Sequence, residues 1–123
     1  MVKRPLVCVI DDDESVRESL PDLLKEFGFA VRAFSSAEQF LTSDVMDRTK
    51  CLILDIAMPG MSGPDLQGEL RRQGRAIPII FITAHASEST RPELLKRGAT
   101  AVLLKPFSDT GLREALNVAL QVN

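Results

Sequence analysis

Five short runs rich in branched aliphatic residues, LVCVI (6–10), AVRAF (30–34), CLILD (51–55), IIFIT (79–83) and AVLL (101–104), recur along the chain with helical patterns between them. A strand followed by a crossover helix and a further strand gives parallel pairing with right-handed connections, so this alternation restricts the topology to a handful of possibilities. Three of the runs are apolar almost throughout, the pattern of strands covered on both faces. AVRAF is mixed, with Arg32 at its centre, and is expected at a sheet edge. The expected fold is α/β, a βα unit repeated five times around one parallel sheet.

The intervening segments carry their own signals. Val16, Leu20, Leu23, Leu24 and Phe27 recur at helical spacing, and Gly28 supplies a stop. Ser35 followed by Glu38 predicts a capping box opening a helix with Phe40 and Leu41. Ser62, Gly63 and Pro64 open a third helix, expected to be short because Gly68 lies inside it. Ser87 and Gly98 bracket a fourth, and Leu112, Ala115, Leu116, Ala119 and Leu120 form the clearest stripe. Pro21 lacks the N–H that a helix interior needs, which predicts a bend between Arg17 and Pro21.

With 123 residues, 45% of them apolar and 26% charged, the chain is expected to form one domain over residues 1–123 around a single core. No linker, internal repeat or low-complexity segment interrupts it. Cys8 and Cys51 lie far apart inside apolar runs, outside any metal or redox spacing, so both are expected as small buried hydrophobes in a reducing compartment. The first apolar run has five residues, shorter than the ~7–15 of a signal-peptide core. No stretch approaches the ~18 apolar residues of a membrane helix. A cytoplasmic protein is expected, without a membrane partner. The net charge of -2 gives no general attraction to nucleic acid, so any control of DNA would need another segment.

In open α/β sheets the ligand lies beyond the carboxyl ends of the strands. Here the first run ends in Asp11, Asp12 and Asp13, the third in Asp55, the fourth in Thr83 and the fifth in Lys105. Each has an ordinary explanation by itself. The acidic run can cap the next helix, where each carboxylate gains ~0.3–1 kcal/mol from the helix dipole. Asp55 can be a turn residue, Thr83 a β-former and Lys105 a solvated charge. Four polar strand ends on one rim form a chemical unit instead. Carboxylates with open water positions suit Mg²⁺, and an ionised aspartate beside a cation, an ammonium and a hydroxyl can attack phosphorus.

The residues IDDDE, LDIAMPGMSG, FITAH and LLKPF, in that order, resemble the receiver domain of two-component response regulators over essentially the whole chain. VRESL, RAFSSAEQFL and GATAVLLKPF are most similar to regulators of the nitrogen-fixation type, whose output is a helix-turn-helix DNA-binding domain. The resemblance implies a flavodoxin-like (βα)5 three-layer sandwich with strand order 2-1-3-4-5. It implies that Asp55 accepts a phosphoryl group, that Asp11, Asp12, Asp55 and the Ala57 carbonyl hold Mg²⁺, and that Thr83 and Lys105 contact the phosphoryl oxygens. Asp13 occupies a position that is often acidic in the family but is not a usual ligand. The bond before Pro106 is implied to be cis. A sensor histidine kinase is the implied phosphoryl donor, with homodimerisation through the last two helices and fifth strand, and with DNA contact left to an output domain outside this chain. The resemblance further implies that the chain is not a stand-alone enzyme but catalyses its own Mg²⁺-dependent phosphorylation and slow autodephosphorylation.

One position departs from the family. Three residues before Lys105, where Tyr or Phe is usual, stands Val102, which has no ring to turn inward. Signal transmission is therefore expected through the loop after Thr83 and a face around Leu94, Leu95 and Leu112, with weaker coupling. His85, the single histidine, is expected at the mouth of the site or as a bystander. Two other readings stay open. A haloacid-dehalogenase-type phosphatase would use Asp11 and Asp13 as a DxD motif, but leaves Asp55 without a role and has no acidic pair after Lys105. A receiver-like interaction module would keep these residues without phosphotransfer.

Overall fold

The computed structural model describes residues 4–84 and 90–121. Five strands, β1 (Leu6–Ile10), β2 (Ala30–Phe34), β3 (Thr49–Asp55), β4 (Ile79–Thr83) and β5 (Ala101–Leu104), alternate with α1 (Glu14–Glu26), α2 (Ala37–Leu41), α3 (Gly63–Arg72), α4 (Thr90–Lys96) and α5 (Asp109–Gln121), with a short 3-10 turn at Met46–Arg48. Every strand pair is parallel and the order is β2-β1-β3-β4-β5, which places mixed AVRAF at an edge.

Alternation along the strands divides the core in two. Cys8, Ile10, Leu52, Leu54, Phe81 and Val102 face Ala37, Phe40, Leu66, Leu70 and Leu94, so α2, α3 and α4 cover one face. Val7, Val9, Cys51, Ile53, Ile80 and Ile82 face Leu20, Leu24, Leu112 and Leu116 of α1 and α5. Both cysteines are free and fully buried, and burial pushes both thiols up, that of Cys51 to about 12. They serve as packing groups. Among the described residues no helix is long and apolar enough to cross a membrane.

Several local expectations change. The N-cap of α2 is Ser36, which accepts from the Gln39 N–H, while Ser35 donates to the Gln39 side chain. Two adjacent serines offer the same capping pattern, and the fold uses the second. The reciprocal capping box occurs at α3, between Ser62 and Asp65. Helix α3 also runs through Gly68 to Arg72, because Leu66 and Leu70 bury the face that holds it against the sheet. Helix α1 runs from Glu14 to Glu26 with Pro21 inside it, where the missing N–H leaves the Arg17 carbonyl without its usual donor, the local cause of the expected bend. Gly98, at φ +104, closes α4 as expected; Ser87, read as the opening of that helix, lies outside the described residues. The face expected around Leu94, Leu95 and Leu112 is not a single surface. Leu94 and Leu112 are buried in opposite halves of the core, and only Leu95 of the three is exposed.

Candidate functional site

The carboxyl ends of β1 and β3 are adjacent, with Ile10 paired to Leu54, so the next residues of each strand meet at the rim. Asp11 is fully buried, Asp55 is 7% exposed, and Asp12 is exposed. One carboxylate oxygen from each of the three lies within 4.8 Å of the others. Asp13 turns away: it caps α1, accepting from the Ser15 N–H at 2.9 Å and the Ser15 hydroxyl at 2.8 Å, and those bonds hold its carboxyl below the usual range. The acidic run thus serves both purposes at once, Asp13 capping a helix and Asp11 and Asp12 turned to the rim.

Lys105 reaches this cluster from the other side. Its Nζ donates to Asp11 Oδ2 at 2.7 Å and lies 3.9 Å from Asp55 Oδ1. The Lys105–Pro106 bond is cis, and the Lys105 N–H bonds to the Thr83 carbonyl at 2.7 Å. Thr83, buried, ends β4 one residue beyond Ile82, the register partner of Asp55. Asp55 and Thr83 therefore end β3 and β4, and Lys105 directly follows the neighbouring β5. His85 lies outside the described residues.

The charge balance is incomplete. Burial raises the Asp55 carboxyl first, and the neighbouring Asp11 charge and hydrogen bond raise it further. Lys105 and the Ala57 N–H pull the other way, yet the carboxyl stands at about 7. One ammonium therefore does not neutralise the group. Hard oxygen donors gathered so closely are the donor set that a small divalent cation takes. Asp11, Asp12 and Asp55 thus fit Mg²⁺, and the fit follows from their spacing and from the charge left uncompensated.

Three supporting contacts were not legible in the sequence. Arg17 of α1 donates to the Asp11 carbonyl at 2.9 Å, tying the helix to the end of β1. Glu38 of α2 accepts from the Met61 N–H at 3.1 Å and so anchors the loop between Asp55 and α3. Gly63 donates its N–H to the Ile56 carbonyl, and an added Cβ there would collide with the Asp55 carbonyl oxygen. The glycine was visible as a helix opener, but its tertiary neighbours were not.

Residues 7–117 match the family model of the response regulator receiver domain. The chain belongs to that family. This receiver domain is 43% identical over 118 residues to nodulation protein W of Bradyrhizobium diazoefficiens, covering 96% of this chain and 52% of that protein. It is 40% identical over 114 residues to the transcriptional regulatory protein FixJ of Azorhizobium caulinodans, covering 93% and 54%. Among solved structures, FixJ-N superposes with TM-score 0.86 at 37% identity, covering 100% of this chain and 98% of that one. The receiver spans about half the length of the curated relatives it matches. The resemblance to the nitrogen-fixation type holds, and no comparison supports a dehalogenase-type phosphatase.

Proposed function

We propose that this receiver domain accepts a phosphoryl group onto Asp55 from a phosphohistidine on a separate sensor histidine kinase, and that the aspartyl phosphate switches a transcriptional output. The observation that carries this reading is the meeting of a buried, incompletely neutralised Asp55 with Asp11, Asp12 and Lys105 at one rim. The carboxylates of Asp11, Asp12 and Asp55, with the Ala57 carbonyl, would hold Mg²⁺. When bound, the ion supplies positive charge that keeps Asp55 ionised and offsets charge on the phosphoryl oxygens.

The chain's own residues account for the rest. An Asp55 carboxylate oxygen forms the new O–P bond in line as the P–N bond of the phosphohistidine breaks, and the departing imidazole retains the electron pair and takes up a proton. Lys105, already bridging Asp11 and Asp55, supplies an ammonium for the incoming oxygens, and Thr83 supplies a hydroxyl. The deep placement of Asp55 limits water around the acyl phosphate, consistent with slow self-hydrolysis.

Output follows through the α4–β5–α5 side. Among the described residues, Leu95 on α4, Leu104 on β5 and Val118 on α5 are the exposed large apolar side chains, at 41%, 53% and 55% exposure. They support pairing with a second copy there. Because Val102 is buried and carries no ring, phosphorylation biases that pairing by moving the strand-end loops, with weaker coupling than an aromatic gives. DNA contact falls to an output domain outside residues 1–123, in the cytoplasm. Intact-mass measurement after incubation with acetyl phosphate tests the core of this reading. It should show gain of one phosphoryl group, dependent on Mg²⁺, in wild type and none in Asp55→Asn. Wild-type protein that never gains the group would leave only a receiver-like interaction module.

A further inference from the structure

Opposite the acidic rim, at the amino ends of β4 and β5, the carboxyl-terminal ends of α3 and α4 enclose a cleft of about 510 Å³, within the range of small-molecule sites. Its floor is apolar, built partly from Leu70, Ile77 and Pro78, and its walls carry Arg71, Arg75 and Arg97, with no carboxylate lining it among the described residues. Arg75 pairs with Asp47, whose side chain is 85% exposed and readily exchanged for another anion. Among the described residues, Arg71 and Arg97 have no carboxylate partner within 4 Å. Arg71 uses one nitrogen on the Arg97 carbonyl, at 3.3 Å, leaving most of its five N–H donors uncommitted.

The partial negative charge of two helix carboxyl ends explains why cations are tolerated here, but it does not satisfy planar guanidinium donors. Gln67 gives a second, independent sign. It lines the same cleft, is only 6% exposed, and spends its Nε2 on the Arg97 carbonyl, while its buried Oε1 has no hydrogen-bond donor among the described residues. A buried acceptor left without a donor is uncommon in folded proteins.

We propose that this cleft binds a small molecule carrying two or more negative charges on phosphate or carboxylate groups, together with a hydroxyl or amine that donates to Gln67 once the contact between α3 and the end of α4 opens. The anionic groups meet Arg71 and Arg97, with Arg75 exchanging Asp47 for the ligand. Arg71 and Gln67 both donate to the Arg97 carbonyl and so fasten α3 to the residue that follows α4, so an anion that draws Arg71 away exchanges an intramolecular contact for a ligand contact and shifts α4 relative to α3. The site is independent of the acidic rim, and direct binding tests it whether or not Asp55 is phosphorylated.

The experiment is a titration of metal-free protein with pyrophosphate and, separately, with citrate, followed by backbone amide NMR. Saturable shifts at Gly74, Gly98 and Thr100 are expected for one probe or both, which also identifies phosphate or carboxylate as the preferred group. Arg97→Gln and Arg71→Gln should each weaken binding about tenfold, as loss of a charge-assisted hydrogen bond does. Arg72→Gln, which removes an arginine paired with Glu69 outside the cleft, should leave it unchanged. The spectra themselves report whether each variant is folded. Shifts that never saturate with either probe, or an equal loss in Arg72→Gln, would overturn the proposal and leave only a diffuse ionic effect.

Discussion

Replacing Gly63 by alanine isolates the packing that fixes the main chain at Asp55. Gly63 is the first residue of α3 and is not among the glycines with positive φ, so alanine can adopt its backbone conformation. The whole cost is contact. A Cβ at this position meets the Asp55 carbonyl oxygen well inside van der Waals range, with Phe81 Cε1 at 3.0 Å and the Ile56 Cα at 3.1 Å. Two of the three are backbone atoms of the segment leaving β3 and cannot rotate away. Overpacking of this kind costs about 1–3 kcal/mol, offset by about 0.4–1 kcal/mol from the reduced freedom of the unfolded chain. The net loss is about 1–2 kcal/mol, or roughly 4–10 °C in Tm for a domain of this size. Gly68→Ala is the internal control: in the same helix its nearest neighbour is 3.9 Å away, so it should gain up to about 1 kcal/mol from helix propensity. Thermal and urea unfolding of both variants decide the matter. Gly63→Ala as stable as wild type would refute the reasoning, and the Gly63→Ala protein should also phosphorylate more slowly from acetyl phosphate because Asp55 is displaced.

Other consequences are open to measurement. With its carboxyl raised from the usual range to about 7, Asp55 contributes stability to the metal-free fold that is full below about pH 4 and is lost as pH rises through 7; Asp55→Asn should flatten that part of the Tm–pH profile and raise Tm at pH 8. Mg²⁺ must displace the same proton, so calorimetry should show its affinity falling about tenfold per pH unit below 7 in wild type. Lys105→Ala leaves the fully buried Asp11 carboxylate without its ammonium and should cost about 3 kcal/mol by urea denaturation, less when Mg²⁺ is present. Asp13→Ala removes an N-cap and should cost about 1 kcal/mol with little effect on phosphorylation; a large loss of labelling would show that Asp13 belongs to the reacting site.

The strands were legible because runs such as IIFIT, four apolar residues and a terminal threonine, are buried throughout, as a strand covered on both faces requires. The polar rim was legible because strand direction alone fixes where Asp11, Asp55, Thr83 and Lys105 emerge. Helical periodicity was less informative about surfaces. It shows which residues share a face but not whether another layer covers that face, so it cannot reveal that Leu94 and Leu112 are buried. Glu38 fits a local capping pattern, yet its carboxylate bonds to Met61, 23 residues away, a partner no local rule can find. Gln67 lies buried beside Leu66 because α3 places its polar amide against α4, a contact between helices that leaves no mark in either segment alone.

Treating the phosphorylated domain with borohydride, which reduces an acyl phosphate to the corresponding alcohol, and then mapping peptides by mass spectrometry locates the reacting carboxylate. Homoserine at residue 55 alone is the expected result. Homoserine at residue 11, 12 or 13 would mean that a carboxylate at the end of β1 is the nucleophile and that Asp55 is not the group this fold was arranged to activate.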